Sequence, residues 1–281
     1  MARAWFEGKV AVVTGAASGI GLATARAMAE QGARLAVCDV DQAGLGRFSE
    51  ELRRDDRLVC AETVDVRQRP EMERFAAVVH DTLGAGGAID ILVNNAGIGV
   101  AGAFVDVPLE EWDRVIGINL SGVAYGCHAF VPKMIARGRG GHVVNIASMA
   151  GYTATAGMAS YHASKFGVIG LSEALRLELD EHGIGVTAIC PGVINTPIVE
   201  TARGYGEADD PALRQRVRKL FQERGSPPEK VAKAIVRAIR TNPMVAPVTI
   251  EAHAFYWLKR MSPGLVRGLG LAALRRTRQR D

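Results

Sequence analysis

Three side chains in this 281-residue sequence could together move a proton: Ser148, Tyr161 and Lys165. Tyr161 and Lys165 are four positions apart, and at helical spacing such a pair shares one face, so the phenol and the ammonium can converge on one point. A free phenol titrates near about pH 10, too high for efficient proton exchange at neutral pH, and a nearby ammonium lowers that value by favouring phenolate. A serine hydroxyl can then hydrogen-bond the oxygen that the tyrosine protonates or deprotonates. Taken singly these residues are ordinary, since a Tyr and a Lys at this spacing usually form a half-exposed aromatic with a solvated neighbour. Their weight comes from the company they keep.

Upstream, Thr14-Gly15-Ala16-Ala17-Ser18-Gly19-Ile20-Gly21 follows an apolar run and opens a helical pattern. Glycines there allow a tight turn and close backbone approach, and the helix N-terminus presents free N–H groups and a positive dipole end, a seat for a pyrophosphate. Tight strand-to-helix packing also wants glycine, so position after a strand is what points to a nucleotide. About 20 residues on, Asp39 ends the second apolar run, where a carboxylate would accept hydrogen bonds from the adenosine ribose and repel a 2′-phosphate. Ser18, Val40 and Asp41 supply no cation beside it, so NAD is expected over NADP. Asp39 would also suit the cap of a helix from Gln42, a role compatible with the first. Asp65-Val66 and Asn94-Asn95-Ala96-Gly97 follow later runs; Asn and Gly suit a sharp turn, and the carboxyl end of a strand is where open α/β sheets bind ligands.

The elements that must hold these residues alternate. Lys9–Thr14, Arg34–Cys38, Leu58–Val64, Ile89–Val93, His142–Ala147, Val186–Cys190 and Val245–Ile250 read as buried strands. Between them, Ile20–Gln31, Gln42–Arg53, Glu71–Leu83, Leu109–Ala136, Met158–His182 and Glu229–Thr241 carry helical period. This is the pattern of an α/β fold, a doubly wound parallel sheet of about seven strands with helices on both faces. For the last helix, Ser226, Pro227 and Glu229 suggest a capping box. The looser stretch at about 195–226, with Ile198, Val199, Leu213, Val217, Leu220 and Phe221 on an apolar stripe, suits a lid.

Composition narrows the class. With 48% hydrophobic and 23% charged residues and no low-complexity linker, one domain over residues 1–250 is expected, with a basic amphipathic extension over 251–281. The start, Met1 to Lys9, lacks the apolar stretch of a secretory signal, no uninterrupted apolar segment approaches bilayer-crossing length, and the cytoplasm is the expected location. Cys38, Cys60, Cys127 and Cys190 are scattered like small core residues, and His128 and His142 have no partners at metal-ligand spacing, so no metal is expected. The net charge of +4 is concentrated at Arg267, Arg275, Arg276, Arg278 and Arg280.

In order and approximate spacing, the TGAASGIG turn, the NNAG run, a serine before YHASK and Cys190-Pro191-Gly192 resemble the short-chain dehydrogenase/reductase family, from Gly8 to about Ile250. The resemblance implies a Rossmann-type fold and hydride transfer between NAD and an alcohol or ketone carbon. It implies Asn119, Ser148, Tyr161 and Lys165 as the catalytic set, with Asn119 holding Lys165 through a water. The cofactor set it implies is Gly15, Ser18, Gly19, Ile20, Gly21, Asp39, Asp65, Val66, Asn94, Ala96, Gly97, Tyr161, Lys165, Pro191, Gly192, Val193 and Thr196. Within that set Asp65 and Val66 flank adenine, Asn94 lies along the cofactor, Lys165 binds the nicotinamide ribose and Thr196 holds the carboxamide. His162 falls on another helix face and reads as structural.

Ile98, Met149, Tyr152, Val193 and Ile194 could line an apolar substrate site or simply close the core. Relatives commonly form dimers or tetramers through the helices beginning near Leu109 and Met158. The extension, with Phe255, Tyr256, Trp257, Leu258, Met261, Leu265, Val266, Leu269 and Leu271 among basic neighbours, suits cover of a subunit or of the pocket first and contact with an anionic membrane second. No recognition motif for nucleic acid accompanies the charge. Two other readings stay open: an NADP-preferring carbonyl reductase, and a nucleotide-bound scaffold whose basic tail recruits a membrane or a partner.

Overall fold

Runs of Val, Ile and Ala form seven parallel strands, β1 (Val10–Thr14), β2 (Arg34–Asp39), β3 (Leu58–Thr63), β4 (Ile91–Asn94), β6 (Gly141–Ile146), β7 (Ile184–Cys190) and β9 (Val245–Pro247), in the order β3-β2-β1-β4-β6-β7-β9. The order reverses between β1 and β4, which pair through Ala11 with Ile91 and Val13 with Val93. Such a switch point leaves a crevice beyond the carboxyl ends of the two strands. The sheet is Rossmann-type, as expected. The computed structural model describes residues 5–278, without the side chains of 273–278. The first four residues, Arg280 and the side chains of Arg275, Arg276 and Arg278 therefore lie outside the described residues.

Alternation along β1 feeds two cores, because successive strand side chains point to opposite faces. Val10 and Val12 pack with α3 (Arg69–Leu83), α5 (Gly122–Arg137) and α6 (Ala159–Leu179), through Phe75, Phe130 and Val168 among others. Ala11 and Val13 pack with α1 (Gly19–Ala29), α2 (Gln42–Arg54) and α9 (Pro228–Thr241), through Met28, Phe48 and Ile235. Cys38, Cys127 and Cys190 are buried and Cys60 is half-buried, as core residues.

Four expectations need correction. The helix expected over Leu109–Ala136 is α4 (Leu109–Ile116), a π turn (Gly117–Ser121) and then α5, so the wide turn falls around Asn119. Single π turns inside helices often mark functional positions. The whole run Leu109–Arg137 is long and apolar enough to cross a bilayer, against the expectation that nothing approaches that length. Its Val123, Cys127, Phe130 and Met134 face the sheet, so that apolarity serves the core.

The last strand stops at Pro247 rather than Ile250, since Thr249 accepts a hydrogen bond from Ala252 and starts α10 (Ile250–Met261). The capping box does not form either: Pro227 is the N-cap of α9 with no side-chain cap bond, while Ser226 bridges to Ile194. Ser226 is drawn into that bridge because its N–H donates to the Val193 carbonyl at 3.0 Å.

Residues 195–226 form α7 (Ile198–Thr201), strand β8 (Arg203–Gly204), a 3₁₀ turn (Gly206–Asp209) and α8 (Pro211–Arg224). β8 pairs with β5 (Val100–Ala101) in a separate two-stranded sheet. The buried Glu111 of α4 binds Arg203 of β8 at 3.0 Å and Arg114 at 2.7 Å. Val217 and Leu220 of α8 remain exposed. At the end of the described chain α10 packs on α11 (Pro263–Arg278); Ala252 and Val266 are buried, and Trp257, Met261, Leu265 and Leu269 are exposed.

Candidate active site

The glycine turn is built by steric necessity. Gly15 and Gly19 adopt positive φ (66° and 53°), and a Cβ on Gly21 would collide with the Gly15 carbonyl. Asn95 ties the turn to β4: its Nδ2 donates to the carbonyls of Thr14 (2.9 Å) and Gly15 (3.0 Å). In return the Thr14 hydroxyl accepts from the N–H groups of Asn95 and Ala96 at 3.0 and 3.1 Å. Ser18 is the extended N-cap of α1 and its side chain makes no capping bond. The result is a close-packed cradle at an uncapped helix N-terminus, the kind of place where a pyrophosphate fits. Thr196 faces it from α7's approach, its Cβ 3.4 Å from where a Cβ on Gly19 would stand.

Asp39 lies beside this turn. Its Oδ2 accepts from Ala17 N–H at 2.9 Å and its Oδ1 from Asp41 N–H at 3.0 Å. The cap of α2 is Asp41, which accepts from Gly44 N–H at 3.0 Å, so Asp39 is not that cap. Farther along the sheet edge, Arg67 grips the Asp65 carboxylate at 2.6 Å and holds it below the usual carboxylate range. Val66 is buried, with its side chain where a Cβ on Gly122 would be. Asn94 turns inward, its Nδ2 donating to Asn145 Oδ1 at 2.9 Å and to Cys127 Sγ at 3.3 Å. Its Nδ2 is thus bonded into the core, while its buried Oδ1 has no hydrogen-bond partner among the described residues.

At the carboxyl end of β6, Ser148 Oγ accepts from Ala150 N–H at 3.1 Å, and Ser148 is near enough to Tyr161 to pull the phenol's pKa down. Lys165, one turn along α6, is buried, and its Nζ donates to the Ile146 carbonyl at 2.8 Å while lying 5.8 Å from the Tyr161 ring centre. Asn119 is fully buried and clasps the Ile98 peptide, accepting its N–H at 2.9 Å and donating to its carbonyl at 3.0 Å. Gly97 completes the group, since a Cβ there would stand 3.4 Å from Asn119 Oδ1 and 3.6 Å from Lys165 Nζ. Asn119, Ser148, Tyr161 and Lys165 are thus brought to one place by the π turn, β6, α6 and the turn after β4.

The expected lowering of the Tyr161 pKa by Lys165 is not found. Burial raises Tyr161 above the ordinary phenol value, and the Ser148 hydrogen bond only partly offsets it. Burial also pushes Lys165 down to about 8, with the ammonium directed at the Ile146 carbonyl rather than at the phenol. His162 is structural, as expected: Nε2 accepts from Thr155 N–H at 3.0 Å, so Nδ1 carries the proton that bonds the Ala150 carbonyl at 2.9 Å.

On the far side, Pro191, Gly192 and Val193 form a turn whose Pro191 carbonyl accepts from Met149 N–H at 2.8 Å. Of the apolar residues near it, Tyr152 and Ile194 are buried and close the core, whereas Ile98, Met149 and Val193 stay half-buried. Tyr152 donates to the Ala252 carbonyl at 2.7 Å and meets Tyr256 edge-on at 5.3 Å. Two residues of this region escaped sequence reasoning. Asn95 stood in plain view in the NNAG run, where turn chemistry alone explained it, and Glu251, which accepts from Val193 N–H at 3.0 Å, lies 58 residues from its partner with no pattern to mark it.

A family model described as short chain dehydrogenase matches residues 9–204. The chain is 41% identical over 269 residues to the Probable oxidoreductase EphD of Mycobacterium tuberculosis, a match covering 94% of this chain and 45% of that protein. It therefore spans less than half the length of that relative. To the Putative oxidoreductase SadH of Mycobacterium tuberculosis it is 36% identical over 260 residues, 91% of each chain. The crystal structure of a short chain dehydrogenase/reductase from Burkholderia phymatum in complex with NAD superposes with a TM-score of 0.84 at 28% identity, covering 92% of this chain and 95% of that one.

Proposed function

This chain belongs to the short-chain dehydrogenase family, and on that premise we propose that it is an NAD-dependent oxidoreductase of secondary alcohols or ketones in which Tyr161 exchanges the substrate proton. The observation that carries this reading is the buried Lys165 ammonium 5.8 Å from the Tyr161 ring, gathered with Asn119 around Gly97 at the end of β6 where Ser148 stands. Oxidation removes a hydride from the carbinol carbon as Tyr161 takes the hydroxyl proton, and reduction reverses both transfers.

Ser148 orients the substrate oxygen and hydrogen-bonds the phenol. Lys165 holds positive charge next to Tyr161 and binds the nicotinamide ribose, and Asn119 fixes the Ile98 peptide above it. The glycine cradle, Asp39 and the Pro191–Thr196 turn would hold NAD, which supplies the hydride-carrying ring when bound. Asp39 supports NAD over NADP, because its carboxylate stands beside the glycine turn and the residues on either side bring no cation. The half-buried Ile98, Met149 and Val193 support an apolar substrate. Residues 195–226 fit a lid over that site, strapped by β8 to β5 and by Arg203 to Glu111.

Separate titration of the purified protein with NADH and NADPH tests the reading without a known substrate. Tighter binding of NADH is expected. Tighter binding of NADPH would overturn the Asp39 argument, and binding of neither would sink the enzyme reading.

A further inference from the structure

The family match ends at residue 204, yet α10, which begins at Ile250, reaches back into the site. Glu251, in the first turn of α10, accepts the Val193 N–H at 3.0 Å. Gly192 leaves the room for this: a Cβ there would collide with Glu251 Oε1 and Thr249 Oγ1. The rest of the turn is pinned by neutral partners, Pro191 O by Met149 N–H at 2.8 Å and Val193 O by Ser226 N–H at 3.0 Å. Val193 N–H alone among these is held by a carboxylate.

That carboxylate has no counter-ion at contact distance. Among the described residues no Lys or Arg forms a salt bridge with Glu251. Burial pushes its pKa up, but hydrogen bonds from Thr249, Val193 and its own backbone, with the more distant charge of Lys230, outweigh burial and hold it below the usual carboxylate range. Thr249 caps α10 through Ala252 N–H at 3.4 Å, and Glu251 in the same first turn serves the helix N-terminus while its carboxylate also reaches out to Val193 N–H.

We infer that Glu251 is a positioning residue for the nicotinamide end of the cofactor, fixing the Pro191–Val193 turn through the Val193 N–H and placing a negative charge there that favours the oxidised cofactor over the reduced one. The inference rests on the cofactor reading above. A nicotinamide ring is positive when oxidised and neutral when reduced, so a fixed, unpaired carboxylate beside its seat attracts one form and is indifferent to the other. A contact that only shaped the turn would treat both alike.

Calorimetric titration of the full chain with NAD⁺ and with NADH, in wild type, Glu251→Gln and Glu251→Asp, separates these. Glu251→Gln keeps an acceptor for Val193 and loses the charge; it should weaken NAD⁺ binding about five- to tenfold, the scale of one partly screened charge, and NADH binding less than about twofold. Glu251→Asp keeps the charge and should preserve most of the wild-type ratio. Equal losses for both cofactors, or no change in either, would overturn the inference. Should Glu251→Gln not fold by thermal melt, the wild type still answers: added salt should weaken NAD⁺ more than NADH, and a ratio indifferent to salt would count against the proposal. Wild-type protein that binds neither cofactor would instead refute the reading on which the inference rests.

Discussion

Lys165 Nζ is bonded to the Ile146 carbonyl at 2.8 Å, so the ammonium one turn from Tyr161 is held by the main chain of β6. It is buried, it forms no salt bridge among the described residues, and burial pushes it from 10.5 down to about 8. Its folded value lies below its unfolded one, so the stability cost is complete below about pH 8 and disappears above about 10.5. Lys165→Met should therefore gain about 1–2 kcal/mol at pH 7, after loss of the Ile146 bond, while turnover is abolished. Urea unfolding at pH 7 checks this, and a variant less stable than wild type there would contradict it. Stability surrendered at a functional position is a common trade.

Tyr161→Phe should lower turnover by about 10² to 10⁴-fold, the usual share of a positioned acid or base, and leave NADH affinity nearly unchanged. Ser148→Ala carries a sharper signature. The Ser148 bond lowers the Tyr161 pKa against burial, so its removal should move the rise of kcat/KM to higher pH. A profile that falls in height without moving along the pH axis would mean that Ser148 orients substrate only.

Asp39→Ala is expected to do two things. It removes the charge that would repel a 2′-phosphate, relaxing preference toward NADPH. It also frees Ala17 N–H, to which Asp39 is bonded at 2.9 Å, and so loosens the glycine turn. Affinity for NADH should fall by about tenfold or more, as befits loss of hydrogen bonds to a charged group. Asp39→Asn keeps an acceptor for Ala17 and should lose less NADH affinity while still gaining NADPH. If neither variant changes the ratio of the two affinities, Asp39 does not read the ribose.

The alternation of apolar runs was enough to read the sheet, because a parallel strand buried on both faces has to be nearly continuous Val, Ile and Ala, as in β1 and β7. Boundaries set by single side chains were harder. Pro247 and Thr249 end the last strand early, and Ser226 is taken from its expected cap by pairing with Ile194. The Ser148, Tyr161 and Lys165 cluster was legible since two of its members share a helix. Its electrostatics were not: the sequence places Lys165 near Tyr161 but does not say that the Ile146 carbonyl claims the ammonium or that burial dominates both groups. Glu251 shows the other limit, a contact made only when the end of the described chain folds back on the turn after β7.

His142 gives the protein a built-in sensitivity to acid far from the site. The ring is buried, with Nε2 3.0 Å from Thr187 Oγ1, and that hydroxyl already donates to the Pro243 carbonyl at 2.6 Å. Nε2 must therefore be the donor, and the ring is neutral. Burial, aided by the charge of Arg176, pushes it from 6.5 down to about 4. Between those values the unfolded chain binds a proton that the folded protein refuses, so stability is intact above about pH 6.5, falls as the pH drops to about 4 and is flat below. This single group should cost up to about 3 kcal/mol across that window. His142→Gln, whose amide can still donate to Thr187, should lose correspondingly less stability between pH 7.5 and 4.5 in urea titrations. Parallel losses in the two proteins would locate the acid sensitivity elsewhere.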